Sequence, residues 1–206
     1  MVKIKICGIT NLEDAQAATE LGADAIGFIF YKESPRYVSP DNVKEIAAAL
    51  PPFLTKVGVF VNEQVERIRE ISEAASLNLI QLHGDESPEY CQQLAAPIMK
   101  VFRVQSGFNV RTMQDYAVAG FLLDTHQKDR YGGTGETFDW QIARHAKAYG
   151  PIVLSGGLNP GNVKEAVEFV RPYAVDVASG VEAYPGKKDA DKLKAFFDEV
   201  QKATIK

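Results

Sequence analysis

The sequence predicts a compact α/β protein, an eight-stranded parallel (β/α)8 TIM barrel. Three observations lead there. Short apolar, β-branched runs alternate with helix-like segments about eight times. The runs are nearly continuous in apolar residues, as in strands whose two faces are both covered by helices. No GxGxxG dinucleotide fingerprint occurs, which counts against the open doubly wound alternative.

The strands are expected near 2–6 (VKIKI), 24–30 (DAIGFIF), 55–61 (TKVGVFV), 78–82 (NLIQL), 98–103 (IMKVFR), 119–124 (AGFLLD), 151–154 (PIVL) and 174–177 (AVDV). The first and last starts are seven intervals apart, or about 25 residues per unit. Between them, Ala15, Ala18, Leu21 and Ile46, Ala49, Leu50 repeat at helical spacing. Asn11 is placed to cap the first helix, with Asp14 three residues on. Ser39-Pro40, Ser87-Pro88 and Asn159-Pro160 each set a capping side chain before a proline, which loses nothing at the first helical position. The fifth helix, near 108–117, carries the weakest signal. No linker or composition break divides the chain, so residues 1–206 read as one barrel domain.

The 206 residues, 46% hydrophobic and 24% charged, fit an ordinary globular protein. A net charge of −4 speaks against nucleic-acid binding, which wants a basic surface. The longest apolar stretch, Ala25 to Tyr31, is far short of a membrane span. Charge interrupts the N-terminus too soon for a signal-peptide core. Cys7 and Cys91 lie far apart with no metal-ligand spacing, so no metal site or disulfide framework is indicated. A cytoplasmic location follows as an expectation.

In a closed barrel the active site lies at the C-terminal strand ends. There the sequence places Cys7-Gly8, Arg36, His83, Asp124, Ser155-Gly156-Gly157 and Ser179-Gly180. Gly156, Gly157, Ser179 and Gly180 follow the last two strands, where backbone N–H groups can cradle a phosphate. Either glycine loop alone reads as a tight turn; two on neighbouring strands favour an anion site. Cys7 is either a small buried hydrophobe or a reactive thiol. Asp124 either caps a turn or works beside the long polar loop 125–137, whose length and glycines suggest a lid or substrate clamp. Arg36 can pair bidentately with a carboxylate or phosphate. His83 is a base, a donor or a satisfied core residue, and His126 and His145 show no partner pattern. Cys91 and Trp140 read as core.

Together these segments resemble the phosphoribosylanthranilate isomerase family. The matching stretches are KICGIT (5–10), SPRYVS (34–39), GVFVN (58–62), QLHGDE (81–86), GGTGETFDW (132–140), LSGGLNP (154–160) and SGVE (179–182). Ala178 is a small departure, since the family often has serine there. The resemblance implies an enzyme of tryptophan biosynthesis. It would perform an Amadori rearrangement of N-(5-phosphoribosyl)anthranilate with no metal or organic cofactor. It implies Cys7 as general base and Asp124 as general acid. It also implies Arg36 on the anthranilate carboxylate, with phosphate at Gly156, Gly157, Ser179 and Gly180; His83, at the same strand ends, is expected to bind substrate. The implied partner is a phosphorylated small molecule, and the chain would be a monomer or a homodimer.

The chemistry poses one problem. Unperturbed thiol and carboxyl groups would stand as thiolate and neutral acid in about 2 × 10⁻⁵ of molecules at pH 7, a handicap of about 6 kcal/mol. Either the site shifts that balance, with burial raising Asp124 and N–H groups or cations lowering Cys7, or another proton arrangement operates. Two other readings stay open. One is the related histidine-pathway isomerase, where an aspartate would stand in place of Cys7. The other is a barrel that only binds a phosphorylated ligand or a protein.

Overall fold

The computed structural model describes residues 1–105, 107–125 and 139–204. All eight expected strands form: β1 (Lys3–Cys7), β2 (Ala25–Ile29), β3 (Thr55–Phe60), β4 (Leu79–Leu82), β5 (Ile98–Val104), β6 (Gly120–Thr125), β7 (Ile152–Leu154) and β8 (Ala174–Val177). Each pairs in parallel with the next, and β8 returns to β1 through Ile4↔Val175 and Ile6↔Val177. The sheet is therefore a closed barrel. The lid expected over 125–137 and His126 lie outside the described residues, apart from Thr125.

Helices α1 (Leu12–Glu20), α2 (Pro40–Ala48), α3 (Val65–Ala74), α4 (Pro88–Cys91), α5 (Trp140–Ala146), α6 (Val163–Val170) and α7 (Ala190–Thr204) surround it. The expected caps hold at three starts. Asn11 accepts from the Asp14 N–H at 2.9 Å and donates back to its carboxylate at 2.9 Å. Ser39 and Ser87 accept from Asn42 and Tyr90, with Pro40 and Pro88 in the first turn.

Two expectations are corrected. Asn159-Pro160 does not open a helix. The Asn159 side chain accepts from Gly161 N–H at 2.8 Å, closing a local turn, and α6 starts only at Val163. The fifth helix is a 3-10 segment, Val110–Asp115. Val110 and Met113 are three residues apart, the period at which 3-10 side chains eclipse, and both turn toward the core. Beyond β8, a short hairpin of β9 (Glu182–Tyr184) and β10 (Lys187–Lys188) was not anticipated.

Strand alternation divides the interior in two. Ile6, Phe28, Phe60, Leu82, Leu123 and Val175 point outward and pack under the helices. Val57, Met99, Val101, Leu122 and Val153 form a separate cluster that fills the barrel's lower lumen. Above that floor the inward positions turn polar, with buried Lys5, Gln81 and Asp176 leading up to Asp124.

Outside the lumen, Lys100 ties β5 to the loop after β4. Its ammonium donates to Gly84 O at 2.8 Å and Glu86 Oε2 at 2.7 Å. The Glu86 carboxylate also accepts from the Asn62 and Gly84 N–H groups. Removing one partner of a buried pair strands the other charge. Lys100→Met should therefore lose about 3–5 kcal/mol of stability in urea unfolding. The Lys100→Met/Glu86→Gln double variant should lose less, because no lone charge is left behind.

Candidate active site

The C-terminal strand ends enclose one cleft with about 710 Å³ of open space. Cys7, Arg36, His83, Asp124, Gly156, Gly157 and Ser179 all line it. Gly180 does not. It lies against the backbone of Leu158, where any Cβ would collide with the Leu158 carbonyl, so it lets the last two loops pack together.

Cys7 ends β1 and is buried. Burial pushes its thiol up, and Asp176 adds to that, while the nearby Lys5 and Lys188 ammonium groups pull it down. The net direction is upward. The cations expected beside Cys7 are present, but here burial outweighs them. Lys5 is itself anchored by a 2.6 Å ion pair to Asp176, whose other oxygen accepts from the Ser155 hydroxyl at 3.1 Å.

Asp124 comes from β6, three strands from β1 around the closed sheet. Its Oδ1 accepts from the Thr125 N–H at 2.8 Å. His83 Nε2 lies 3.3 Å from its Oδ2, without hydrogen-bond geometry. The Gln81 amide nitrogen stands 3.3 Å from His83 Nδ1. When that amide donates, the imidazole proton sits on Nε2 and faces the Asp124 carboxyl. Gln81 and His83 thus line up toward the Asp124 carboxyl from two successive inward positions of β4 and the loop beyond it.

The two glycine loops meet between β7 and β8. Gly156 and Gly157 have φ of 83° and 68°, which only glycine adopts without strain. A Cβ on Gly156 would also stand 2.5 Å from Thr125 N. The Asn159 and Asn162 side chains both donate to the Gly157 carbonyl. Among the described residues, the N–H groups of Gly157, Ser179 and Gly180 make no backbone hydrogen bond. Gly157 and Ser179 carry such donors on the cleft wall and Gly180 carries one next to it, and unpaired amide donors so grouped are what an anion site requires.

Arg36 is bound on one edge. Its Nε and Nη2 donate to Glu182 at 2.8 and 2.7 Å. Lys188, with its ammonium fully buried, donates to Glu182 and to the carbonyls of Cys7 and Ala178. Burial pushes the Glu182 carboxyl up, but the Arg36 hydrogen bonds and Lys188 outweigh it and hold it below the usual carboxylate range.

Sequence reasoning gave no role to Lys5, Gln81, Ser155, Asp176, Glu182 and Lys188, although it set Gln81 and Ser155 at strand ends. A signal existed for three of them. KIKIC and LIQLH set polar residues two apart, and AVDVA sets Asp176 between two valines, positions that strand geometry sends to the face opposite the intervening apolar residues. Glu182 and Lys188 sit in a hairpin that has no such signature.

The chain was compared with known proteins. Residues 4–199 match the family model described as N-(5′-phosphoribosyl)anthranilate isomerase. An N-(5′-phosphoribosyl)anthranilate isomerase of Trichlorobacter lovleyi is 52% identical over 98% of this chain and 100% of its own. The crystal structure of the phosphoribosyl anthranilate isomerase of Thermotoga maritima superimposes with a TM-score of 0.89 at 46% identity, over 98% of this chain and 100% of that one. A further solved isomerase matches with a TM-score of 0.85 at 44% identity, over 98% and 100% of the two chains. It is in complex with reduced 1-(o-carboxyphenylamino)-1-deoxyribulose 5-phosphate. Among the described residues, no helix is long and apolar enough to cross a membrane.

The Glu182 cluster predicts a pH dependence. A carboxyl held below its unfolded value, about 4.3, stabilises fully above that value and loses its contribution as pH falls through the folded one. Wild-type stability should therefore drop more steeply between about pH 5 and pH 3 than that of Glu182→Gln. Thermal unfolding across that window checks it, and parallel curves would contradict it.

Proposed function

The chain belongs to the N-(5′-phosphoribosyl)anthranilate isomerase family, and from that membership we propose how its cleft isomerises N-(5′-phosphoribosyl)anthranilate. The product is 1-(2-carboxyphenylamino)-1-deoxyribulose 5-phosphate, made in tryptophan biosynthesis by an intramolecular oxidoreductase. Residues 1–206 form one barrel domain in this reading. The observation that carries it is the shared cleft, which receives a thiol from β1 and a carboxyl from β6.

The steps follow from those two groups. Asp124 as a neutral acid gives its proton to the ribose ring oxygen. The C1–O bond breaks as the anthranilate nitrogen lone pair forms the C1=N bond. The iminium makes the C2 hydrogen acidic. Cys7 as thiolate takes that proton, and the C–H electrons move to form the C1=C2 double bond of an enolamine. Moving the C2 hydroxyl proton to C1 then gives the ketone. One acid and one base on separate strands suffice. The substrate phosphate lies on the N–H groups of Gly156 and Gly157 and of Ser179 and Gly180. Arg36, held by Glu182 through Nε and Nη2, turns its remaining Nη1 donors to the anthranilate carboxylate. His83 keeps the Asp124 carboxyl in place.

Cys7→Ala and Asp124→Asn should each lose at least about 100-fold in turnover while keeping the wild-type fold. Loss of substrate fluorescence, with circular dichroism as the folding control, reads both. Near-normal turnover in either variant removes that residue from the mechanism. Arg36→Met should mainly raise KM, by about tenfold or more, as expected when a charged hydrogen bond to substrate is lost. An unchanged KM would remove the carboxylate contact.

A further inference from the structure

The proposed base presents a physical difficulty, because burial opposes the thiolate form that the reaction needs. The lumen beneath Cys7 contains groups that the steps above do not use. Lys5 lies two residues earlier on β1, so both side chains point into the barrel. Its ammonium is buried, with only 4% of the side chain exposed, and forms the 2.6 Å pair with Asp176 on β8. Opposite them on β2 stands Gly27, in register with Cys7. A Cβ there would come 2.8 Å from Cys7 Sγ and 3.0 Å from Lys5 Nζ. Sulfur and ammonium therefore share the space over a position that has no side chain.

The charges around Cys7 can be counted. Lys5, Lys188 and Arg36 supply three cations, and Asp176 and Glu182 two carboxylates, joined by ion pairs. With Cys7 as thiol this buried cluster carries one net positive charge. A thiolate makes it neutral. Asp124 and His83 face Cys7 only from across the cleft.

We propose that Lys5 is the positioning residue that holds the Cys7 sulfur as a thiolate, with Asp176 fixing the ammonium and Gly27 leaving room for both. This rests on the reading of Cys7 as the base. Lys5 keeps its proton throughout: the ion pair with Asp176 raises its affinity for that proton despite burial. It acts on the sulfur through its charge and does not itself transfer a proton.

The test is the pH dependence of Cys7 alkylation by iodoacetamide, followed by mass spectrometry in a Cys91→Ala background. Thiolate is the reacting species, so the midpoint reports its formation directly. In Lys5→Met the midpoint should rise by at least about one unit, a tenfold slower reaction at pH 7. Turnover should fall by a similar factor with KM nearly unchanged, and Lys5→Arg should restore part of both. An unmoved midpoint overturns the proposal even if activity is lost, since it leaves Lys5 a structural role only. If Lys5→Met does not fold, Lys5→Met/Asp176→Asn removes the buried pair together. A smaller rise is expected there, because the Lys5 charge acts on the sulfur more strongly than that of Asp176, and no rise overturns the proposal. The alkylation readout does not need activity. Should Cys7→Ala stay active, the base reading falls while the effect of Lys5 on the sulfur is still measured.

Discussion

The pairing of β1 with β8 is the constraint on which the rest of the structure depends. It closes the sheet, and closure turns every second side chain of eight strands toward one axis. Residues 171 positions apart then become partners, as Lys5 and Asp176 do. The same closure sets Cys7 and Asp124 on the wall of one cleft. In an open sheet the inward face of β1 would have no β8 beside it. The Lys5–Asp176 pair would not exist, and the ammonium would lose the carboxylate that fixes it beneath the thiol.

Such a lumen is ordinarily filled by layers of branched apolar residues. Here the lower part obeys that rule, with Val57, Met99, Val101, Leu122 and Val153. The layer above breaks it. Buried ion pairs of this kind seldom add stability, because the cost of desolvating each charge rivals the attraction gained. Replacing Lys5 and Asp176 by apolar residues of similar volume would often be neutral or stabilising. Their presence directly beneath the cleft is better explained by what they do to Cys7. A charge arrangement that is expensive for the fold sits where a buried anion needs a counter-charge. The Lys100–Glu86 pair is different, since it lies outside the lumen and ties two loops to a strand.

The strands were legible because each is a β-branched run ending in turn chemistry. Caps at Asn11, Ser39 and Ser87 were legible because a side-chain oxygen must meet an orphan amide at a fixed offset. Asn159-Pro160 misled for the same reason. An asparagine can satisfy a local turn as readily as a helix start, and here Gly161 offered the nearer N–H. In the site, the residues at strand ends could be named from position alone. The charged layer escapes a reading of the strands as near-continuous apolar runs, since Lys5 and Asp176 each stand between apolar neighbours. Arg36 was identified, but its partner was not. Glu182 lies 146 residues away in a hairpin whose place over the barrel mouth follows from tertiary contacts alone.

That hairpin shapes the electrostatics of the whole mouth. Lys188 binds the carbonyls that end β1 and β8 and also holds Glu182, which in turn grips Arg36. The proposed base and the proposed carboxylate receptor are thus coupled through one buried network. In the proposed reaction both are needed at once, and both draw on positive charge. At an effective dielectric of about 20, two like charges 4 Å apart repel by about 4 kcal/mol, so an anionic substrate group beside the thiolate would suppress it. Glu182 answers this geometrically. It occupies the Nε edge of Arg36 and leaves the far edge for the incoming carboxylate, while Lys5 serves the sulfur from below. Glu182 bridges Arg36 and Lys188, so that with Cys7 as thiolate the three cations and three anions balance before substrate enters.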